Sequence, residues 1–480
     1  MNNNAFNYNL SEVLASNPEI NLEMDDYNIN VTSNYGEEIS AEKLRERFSF
    51  QNPAKNSSIH LYFHIPLCSY ICHFCNYVKK LLPTNSKEFD SQLEFWCNAL
   101  IKESELNLKN SLWLKDVTVT SFYIGGGTAS LLKQKHLNKI VNHVKNNYNV
   151  SECCEFNLEG NPDNFQDEEL FSALELGFNR FSVGVQSLQN EVNQFAGRKH
   201  DPIMSLKAIE KLNATQKPYN VDMMFGLPFQ NKETVIADIQ TLIEQNVPTI
   251  TIYRLRNADR QKMGIGNTAV WNVEKVNNRL KNDGLFPSLA ETYEMREAIM
   301  NILLEANYLP SPCGWWSKQD TYPNGNIPIV SKNKWQYYDS MVAYGPGAYG
   351  WLTFNRDTVI QTHNNIDINS YAKIINSENP EPFSFGRQLN YNESLASALG
   401  FCFKSRQLIE FNRFEEQYKI NIQKDCLVSD VFDELIRKGF TEKTEYGYLP
   451  TILGEAFHEE IISVYIHNRI GNFKTQICNR

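Results

Sequence analysis

The sequence predicts an α/β chain: a parallel sheet built from repeated strand–helix units, followed by a smaller, mainly helical domain. Three observations predict it. Six short apolar, aromatic or β-branched runs alternate with longer stretches of helical spacing between residues 59 and 254. After Asn390 the strand-like runs give way to helical spacing. A chain of 480 residues also exceeds what one hydrophobic core usually serves, so a large domain and a smaller one are expected.

Residues 1–55 are rich in Asn, Glu and Ser with weak periodicity, which predicts a partly disordered extension carrying a short helix at Ala41–Arg47. The strand-like runs are Ile59–Ile65, Thr118–Ile124, Glu155–Leu158, Arg180–Val185, Tyr219–Phe225 and Thr249–Arg254. Helical spacing is clear in Phe89–Leu106, where Leu93, Trp96, Cys97, Leu100 and Ile101 share a face. Leu170–Leu176, Ile203–Leu212 and Val235–Ile243 follow the same rule. Periodicity does not say whether the sheet closes. Residues 256–290 are polar and irregular, Leu289–Ala306 is helical, and a Pro/Gly-rich stretch follows to Pro328. The large domain is set at 56–385 and the smaller at 386–480. In the latter, Leu427–Lys438 reads as a helix with Gly439 as C-cap, and Thr441–Pro450 as a hairpin.

Net charge is −10 and no run is rich in Lys or Arg, which argues against broad nucleic-acid or anionic-membrane binding. No apolar window is long enough to span a bilayer. The N-terminus, MNNNAFNYNL, has neither the basic start nor the apolar core of a signal peptide, so a cytoplasmic location is expected. In a reducing compartment the ten cysteines form no disulfide framework. Most read as small buried hydrophobes.

Three cysteines need another explanation. Cys68, Cys72 and Cys75 fall within eight residues, in Leu61-Tyr-Phe-His-Ile-Pro-Leu-Cys68-Ser-Tyr-Ile-Cys72-His-Phe-Cys75. They follow a strand-like run, where parallel α/β sheets carry their sites. Zinc usually takes four protein ligands, often as two separated pairs, and no second cysteine pair follows. His73 could complete such a set on paper, but its place between Cys72 and Cys75 should point it elsewhere. Three thiolates suit a 4Fe–4S cluster with one iron open to a further ligand.

The C-x3-C-x2-C spacing resembles the signature of the radical S-adenosylmethionine superfamily. The longer string Tyr-x-His-Ile-Pro-x-Cys resembles its oxygen-independent coproporphyrinogen oxidase-like branch. The similarity runs from about residue 59 to 350, more weakly to about 465, and leaves the first 55 residues uncovered. It implies a partial (βα)6 barrel with a helical or winged-helix-like cap. It also implies a 4Fe–4S cluster on Cys68, Cys72 and Cys75, cleavage of S-adenosylmethionine to an adenosyl radical, a small-molecule substrate, and a reducing partner such as flavodoxin or ferredoxin.

Further residues are carried over from that resemblance. Gly126, Gly127 and Thr128, in Gly125-Gly-Gly-Thr-Ala-Ser130, match the segment that binds the methionine amino group. Ala129 replaces a Pro there, at some cost in stiffness but of no ligand group. Glu159 matches an acid contacting the methionine portion, Gln186 a Gln near the ribose, and Arg198 an Arg pairing with the carboxylate. Asp222, a carboxyl inside an apolar strand, needs hydrogen-bond partners or a ribose. Tyr62 matches a Tyr beside the cluster, while Met224 and Tyr253 match positions lining a second S-adenosylmethionine site. Gly345-Pro-Gly-Ala348 reads by itself as a turn near the barrel's end.

Two departures shape the expected activity. The oxidase's fourth cysteine corresponds to Tyr77, which argues against coproporphyrinogen decarboxylation. The His-Asn-x-x-Tyr-Trp stretch of related haem chaperones corresponds to Ser331-Lys-Asn-Lys-Trp-Gln336, which lacks the His. The expected function is therefore methylation or cyclopropanation of an sp2 carbon with two S-adenosylmethionine molecules. The alternatives are a coproporphyrinogen- or haem-directed oxidoreductase and a non-enzymatic haem carrier.

Overall fold

A computed structural model describes residues 8–20, 36–50, 58–255, 261, 264, 266–311, 314–318, 327–331, 339–355, 358–404 and 406–471. The six expected strands are present as β1 (Ser58–Ile65), β2 (Thr118–Gly126), β3 (Asn149–Gly160), β4 (Arg180–Gln186), β5 (Tyr219–Phe225) and β6 (Thr249–Arg254). Each pairs in parallel with the next. The helices between them include Phe89–Asn110, Gln134–Asn147, Asp167–Glu175, Pro202–Thr215 and Lys232–Glu244. Alternation explains the layering. Ile59, Leu61, Phe63 and Ile65 of β1 are buried in the main hydrophobic core, as are Val183 and Val185 of β4 and Val221 of β5. The intervening positions are polar: His60, Tyr62 and His64; Tyr123; Glu155, Asn157 and Glu159; Arg180 and Ser182; Asn220 and Asp222; Thr251. They share the other face of the sheet, the inside of the partial barrel.

The sheet is larger than the sequence indicated. A seventh parallel strand, β7 (Ser340–Tyr344), pairs with β1. Beyond it β8 (Tyr349–Asn355), β9 (Thr358–Asn364) and β10 (Phe383–Leu389) continue antiparallel. Past β6 the Pro/Gly-rich stretch supplies Trp315–Lys318 and Tyr308–Ser311, also antiparallel. The sheet's strand order is open, with edges at Glu37–Ser40 and Tyr308–Ser311. The irregular stretch 256–290 holds a missed helix, Glu274–Asn282, whose mostly polar sequence hid it.

The N-terminal extension contributes more than a short helix. Glu37–Ser40 pairs with β10, and the helix runs Ala41–Phe50, packing Phe48 on Trp113 and Phe383. An earlier helix, Leu10–Ser16, is capped by Asn9. Residue 385 lies inside β10, and the helical segment starts at Tyr391. There, Cys426–Arg437 is helical with Lys438 as C-cap, so Gly439 sits one residue beyond, at φ +77°. The hairpin Thr441–Lys443/Gly447–Pro450 joins Ile409–Glu410 in a small sheet. Among the described residues no helix is long and apolar enough to cross a membrane.

Candidate active site

The cysteine loop forms because Pro66 ends β1 and the chain folds back on itself. Leu67–Cys68 pairs with Lys80–Leu81. Lys80 N–H donates to Pro66 O at 2.5 Å and Leu82 N–H to Cys68 O at 2.8 Å, closing the loop. Cys68 is buried, Cys72 and Cys75 are partly exposed, and all three are free. His73 turns away from them, as expected. Its N–H donates to Ala196 O at 2.9 Å, and its Nδ1 lies 2.8 Å from Phe195 O.

The glycine run lies directly against this loop. Gly127 N–H donates to Ile65 O and Thr128 N–H to Leu67 O, both at 2.7 Å. A Cβ on Gly127 would stand 2.5 Å from Leu67 O and 3.0 Å from Cys68 Sγ. Gly126 has φ +108°, and a Cβ there would meet His64 Nδ1 at 2.5 Å. His64 in turn contacts Tyr62 OH at 3.1 Å and Val78 O at 2.8 Å. Burial lowers its pKa to about 4, so it stands neutral beneath the loop. The Gly345–Gly347 turn packs there too: a Cβ on Gly345 would meet His64 O at 2.5 Å, and one on Gly347 would meet Val78 Cγ2.

Burial, then the neighbouring Cys75, pushes the Cys68 thiol up to about 12. Burial raises Cys75 as well, against the pull of Lys79. Such thiols become thiolates when a metal group displaces their protons. Among the described residues no three His, Cys, Asp or Glu side chains are gathered around one ion position. A cuboidal cluster holds its cysteines further apart than one ion does, and a loop of three free cysteines under a side-chain-free glycine cradle fits it.

Arg198 reaches the loop from the far side. It donates through Nη1 to Cys72 Sγ at 3.3 Å and through Nη2 to Asn161 Oδ1 at 3.1 Å and to Gly184 O. Burial opposes its charge, but Cys72, Tyr70 and Asp163 outweigh burial and hold it above its ordinary pKa. Its buried Nε has no partner among the described residues, leaving a donor available for an anionic group. Gln186 ends β4 at φ +73°, where the register with β5 shifts, and its Nε2 lies near Gly184 beside Arg198. Thr128 is buried and accepts from Asn161 Nδ2 at 3.3 Å.

Glu159 and Asp222 face each other inside the barrel. Glu159 accepts from Gly126 N–H and from Tyr123. A Cβ on Gly125 would strike its Oε2. Asp222 accepts from Asn220 at 2.8 Å, from Ser182 at 3.4 Å and from Thr251. Burial first, then Asp222, raises Glu159 to about 8; burial raises Asp222 to about 6. The folded chain thus keeps protons that the unfolded chain releases as pH rises from about 4 to about 8, and stability falls across that window. Glu159→Gln should flatten the alkaline half of the slope. The change in urea unfolding free energy between pH 6 and pH 8 should differ between parent and variant by at least about 1 kcal/mol. An unchanged slope would refute the assignment.

Met224 and Tyr253 are register neighbours at the ends of β5 and β6. Met224 packs against the cluster containing Trp271, and Tyr253 is exposed. Tyr77 is exposed at the far end of the cysteine loop.

Several residues escaped the sequence reading. His64 stood in the quoted string, two residues from Tyr62 and so on the same face. Tyr123, Asn161 and Arg180 carried the weaker signal of polar residues in or just after an apolar strand. Trp271 carried none. Its N–H donates to His73 O at 3.1 Å, and its ring stacks on Phe195 at 5.8 Å. Asn267 N–H donates to Asn76 O at 2.8 Å, so this irregular segment lies across the cysteine loop.

The radical SAM superfamily model matches residues 62–242. The heme chaperone HemW of Buchnera aphidicola is 27% identical over 389 residues, covering 79% of this chain and 95% of that one. The oxygen-independent coproporphyrinogen III oxidase of Paracoccus denitrificans is 25% identical over 198 residues, covering 41% and 42%. Among solved structures, the coproporphyrinogen III oxidase of Escherichia coli aligns with a TM-score of 0.71 at 16% identity, over 91% of this chain and 94% of that one. That likeness is one of fold, and it takes in the strands and helices beyond the barrel. Residues 62–242 carry a radical S-adenosylmethionine superfamily domain, and the chain is similar to that superfamily's oxygen-independent coproporphyrinogen oxidase-like branch.

Proposed function

We propose that this chain is a radical S-adenosylmethionine enzyme acting on a tetrapyrrole, as a coproporphyrinogen- or haem-directed oxidoreductase. The observation that supports the tetrapyrrole best is the similarity to a heme chaperone over 79% of this chain. The relative named as a coproporphyrinogen oxidase adds to it. One-carbon transfer from a second S-adenosylmethionine is the second reading. It is favoured only by the adjacency of Met224 and Tyr253 at the barrel mouth.

Cys68, Cys72 and Cys75 are the cluster ligands in this reading. A 4Fe–4S cluster supplies, when bound, the single electron that cleaves the sulfonium of S-adenosylmethionine. The chain's own residues bind and orient. Arg198 offers its unpartnered Nε–H to the methionine carboxylate. The Gly126–Thr128 backbone and Glu159 receive the amino end, where an anion opposite a cation lowers the cost of burying both. Gln186 and Asp222 take the ribose hydroxyls, and Tyr62 closes the side next to β7. Trp271 and Phe195 limit water at the loop.

The test is anaerobic turnover of the reconstituted protein with S-adenosylmethionine and a reductant such as reduced flavodoxin, with coproporphyrinogen III or haem added. The expected result is 5′-deoxyadenosine formation that rises with the tetrapyrrole, whose mass changes in step. A product heavier by one methylene, with S-adenosylhomocysteine, would move the assignment to one-carbon transfer. Haem binding without S-adenosylmethionine cleavage would make the chain a carrier. Of the stretch compared with the carrier motif, Ser331–Gln336, residues 332–336 lie outside the described residues.

A further inference from the structure

We infer that Gln361, His363 and Arg387 form a subsite that recognises a carboxylate of the substrate, set across the sheet from the cysteine loop. This rests on the tetrapyrrole reading only for the identity of the molecule; the subsite itself stands on geometry. Cross-strand register places the three residues together. Gln361 pairs with Arg387 and His363 with Phe385, between β9 and β10. The same row continues through Trp351 of β8 and Met341 of β7 to His60 of β1, and the next row runs to Tyr62. Paired residues share a sheet face, so Gln361, His363 and Arg387 project on the side that Tyr62 and Tyr123 occupy.

The surroundings are apolar. Met341, Ala343, Trp351, Val359, Leu389 and Phe401 form one buried cluster against Tyr62, Tyr123 and Tyr349. Inside such a face unsatisfied polar atoms are costly. Yet Gln361 and His363 are 2% and 1% exposed, and Gln361 Nε2, His363 Nδ1 and Arg387 Nε all lack partners among the described residues. His363 Nε2 lies 3.3 Å from Gln361 Oε1. With the ring N–H donating there, the amide is oriented so that its NH2 stays open. The His363 ring is held between Phe385, at 4.5 Å and 13°, and Tyr349, at 6.3 Å and 23°. Its position is therefore set by packing, and it acts as a positioning residue for Gln361. Arg387, the register partner of Gln361, uses Nη2 on the exposed Glu38 at 3.5 Å, and its Nε–H has no partner among the described residues.

Two N–H donors and a guanidinium charge in one apolar wall are the chemistry that takes a carboxylate. Three strand spacings, roughly 14 Å, separate β1 from β9. A flat, extended carboxylic acid anchored at this subsite would thus present its far end to the Tyr62 side of the barrel.

The test uses the reconstituted full-length protein and fluorescence titration with two pairs of probes. These are protoporphyrin IX against its dimethyl ester, and pyrenebutyrate against its methyl ester. The expected result is that each acid binds about 10-fold or more tightly than its ester. That gap should close in Gln361→Leu and Arg387→Met, while S-adenosylmethionine affinity holds. Arg387→Lys should recover part of it. Equal binding of acid and ester in the parent protein, which needs no variant to fold, would overturn the subsite and leave the tetrapyrrole reading standing. Acid preference for pyrenebutyrate with no porphyrin binding would do the reverse.

Discussion

Cys68→Ala, Cys72→Ala and Cys75→Ala each abolish S-adenosylmethionine cleavage, with 5′-deoxyadenosine at background and the iron content and visible absorption of the reconstituted protein lost. The same change at Cys154 or Cys402 leaves all three near the parent value. Cys154 and Cys402 are buried members of the hydrophobic core, whereas the loop cysteines belong to no such cluster. The loss should be chemical rather than structural. The loop is tied down by its backbone, through Lys80 to Pro66, Leu82 to Cys68, His73 to Ala196 and Trp271 to His73. Thermal unfolding of the apo proteins should therefore stay within a few degrees of the parent, since none of those bonds uses a sulfur. Retention of iron and cleavage by any one loop variant would remove that cysteine from the ligand set.

Glu459→Ala destabilises the chain by about 3–5 kcal/mol, because it strands a buried guanidinium. Arg254 Nη2 and Glu459 Oε2 are 2.9 Å apart, with side chains 6% and 4% exposed. Arg254 ends β6, beside Tyr253, and Glu459 lies in the short helix His458–Ile461, so the pair joins the barrel mouth to the C-terminal segment. Neighbouring contacts share the load. Arg296 reaches His458 Nδ1 at 2.9 Å, and Tyr293 donates to Glu460. Arg254→Met with Glu459→Met together should cost less than either charge removed alone, since a matched apolar pair leaves no orphan charge. Urea unfolding would report it. A single variant as stable as the parent would show that the pair does not hold the two parts together.

How much of this was legible in the sequence depended on how local the cause was. The βα alternation, the cysteine loop at the end of β1, the glycine run and the hairpin Thr441–Pro450 are set by neighbours along the chain, through side-chain period, turn chemistry and spacing. β7 to β10 were not legible. Their inward residues mix Met341, Trp351, Gln361 and Arg387, a pattern that alternates only once the sheet shows which face is inside. The segment around Trp271 was illegible for a similar reason: its contacts with the site, through Phe195 and His73, are with residues some 75 to 200 positions away.

The sequence alone determined the chemistry on offer: three cysteines in one loop, Glu159 at a strand end, Asp222 inside a strand, Arg198 twelve residues past Gln186, and an α/β order that places strand ends together. Tertiary structure decided what those groups experience. Burial next to Asp222 raises Glu159, Cys72 holds Arg198 charged, and His64 stands neutral under Gly126. It also decided that Gln361 and Arg387, unremarkable along the chain, share an apolar wall with Tyr62. The physical reason is common to all of these. A charge or an unpaired donor has its energy set by the dielectric and partners around it, and those come from strands that are distant in sequence.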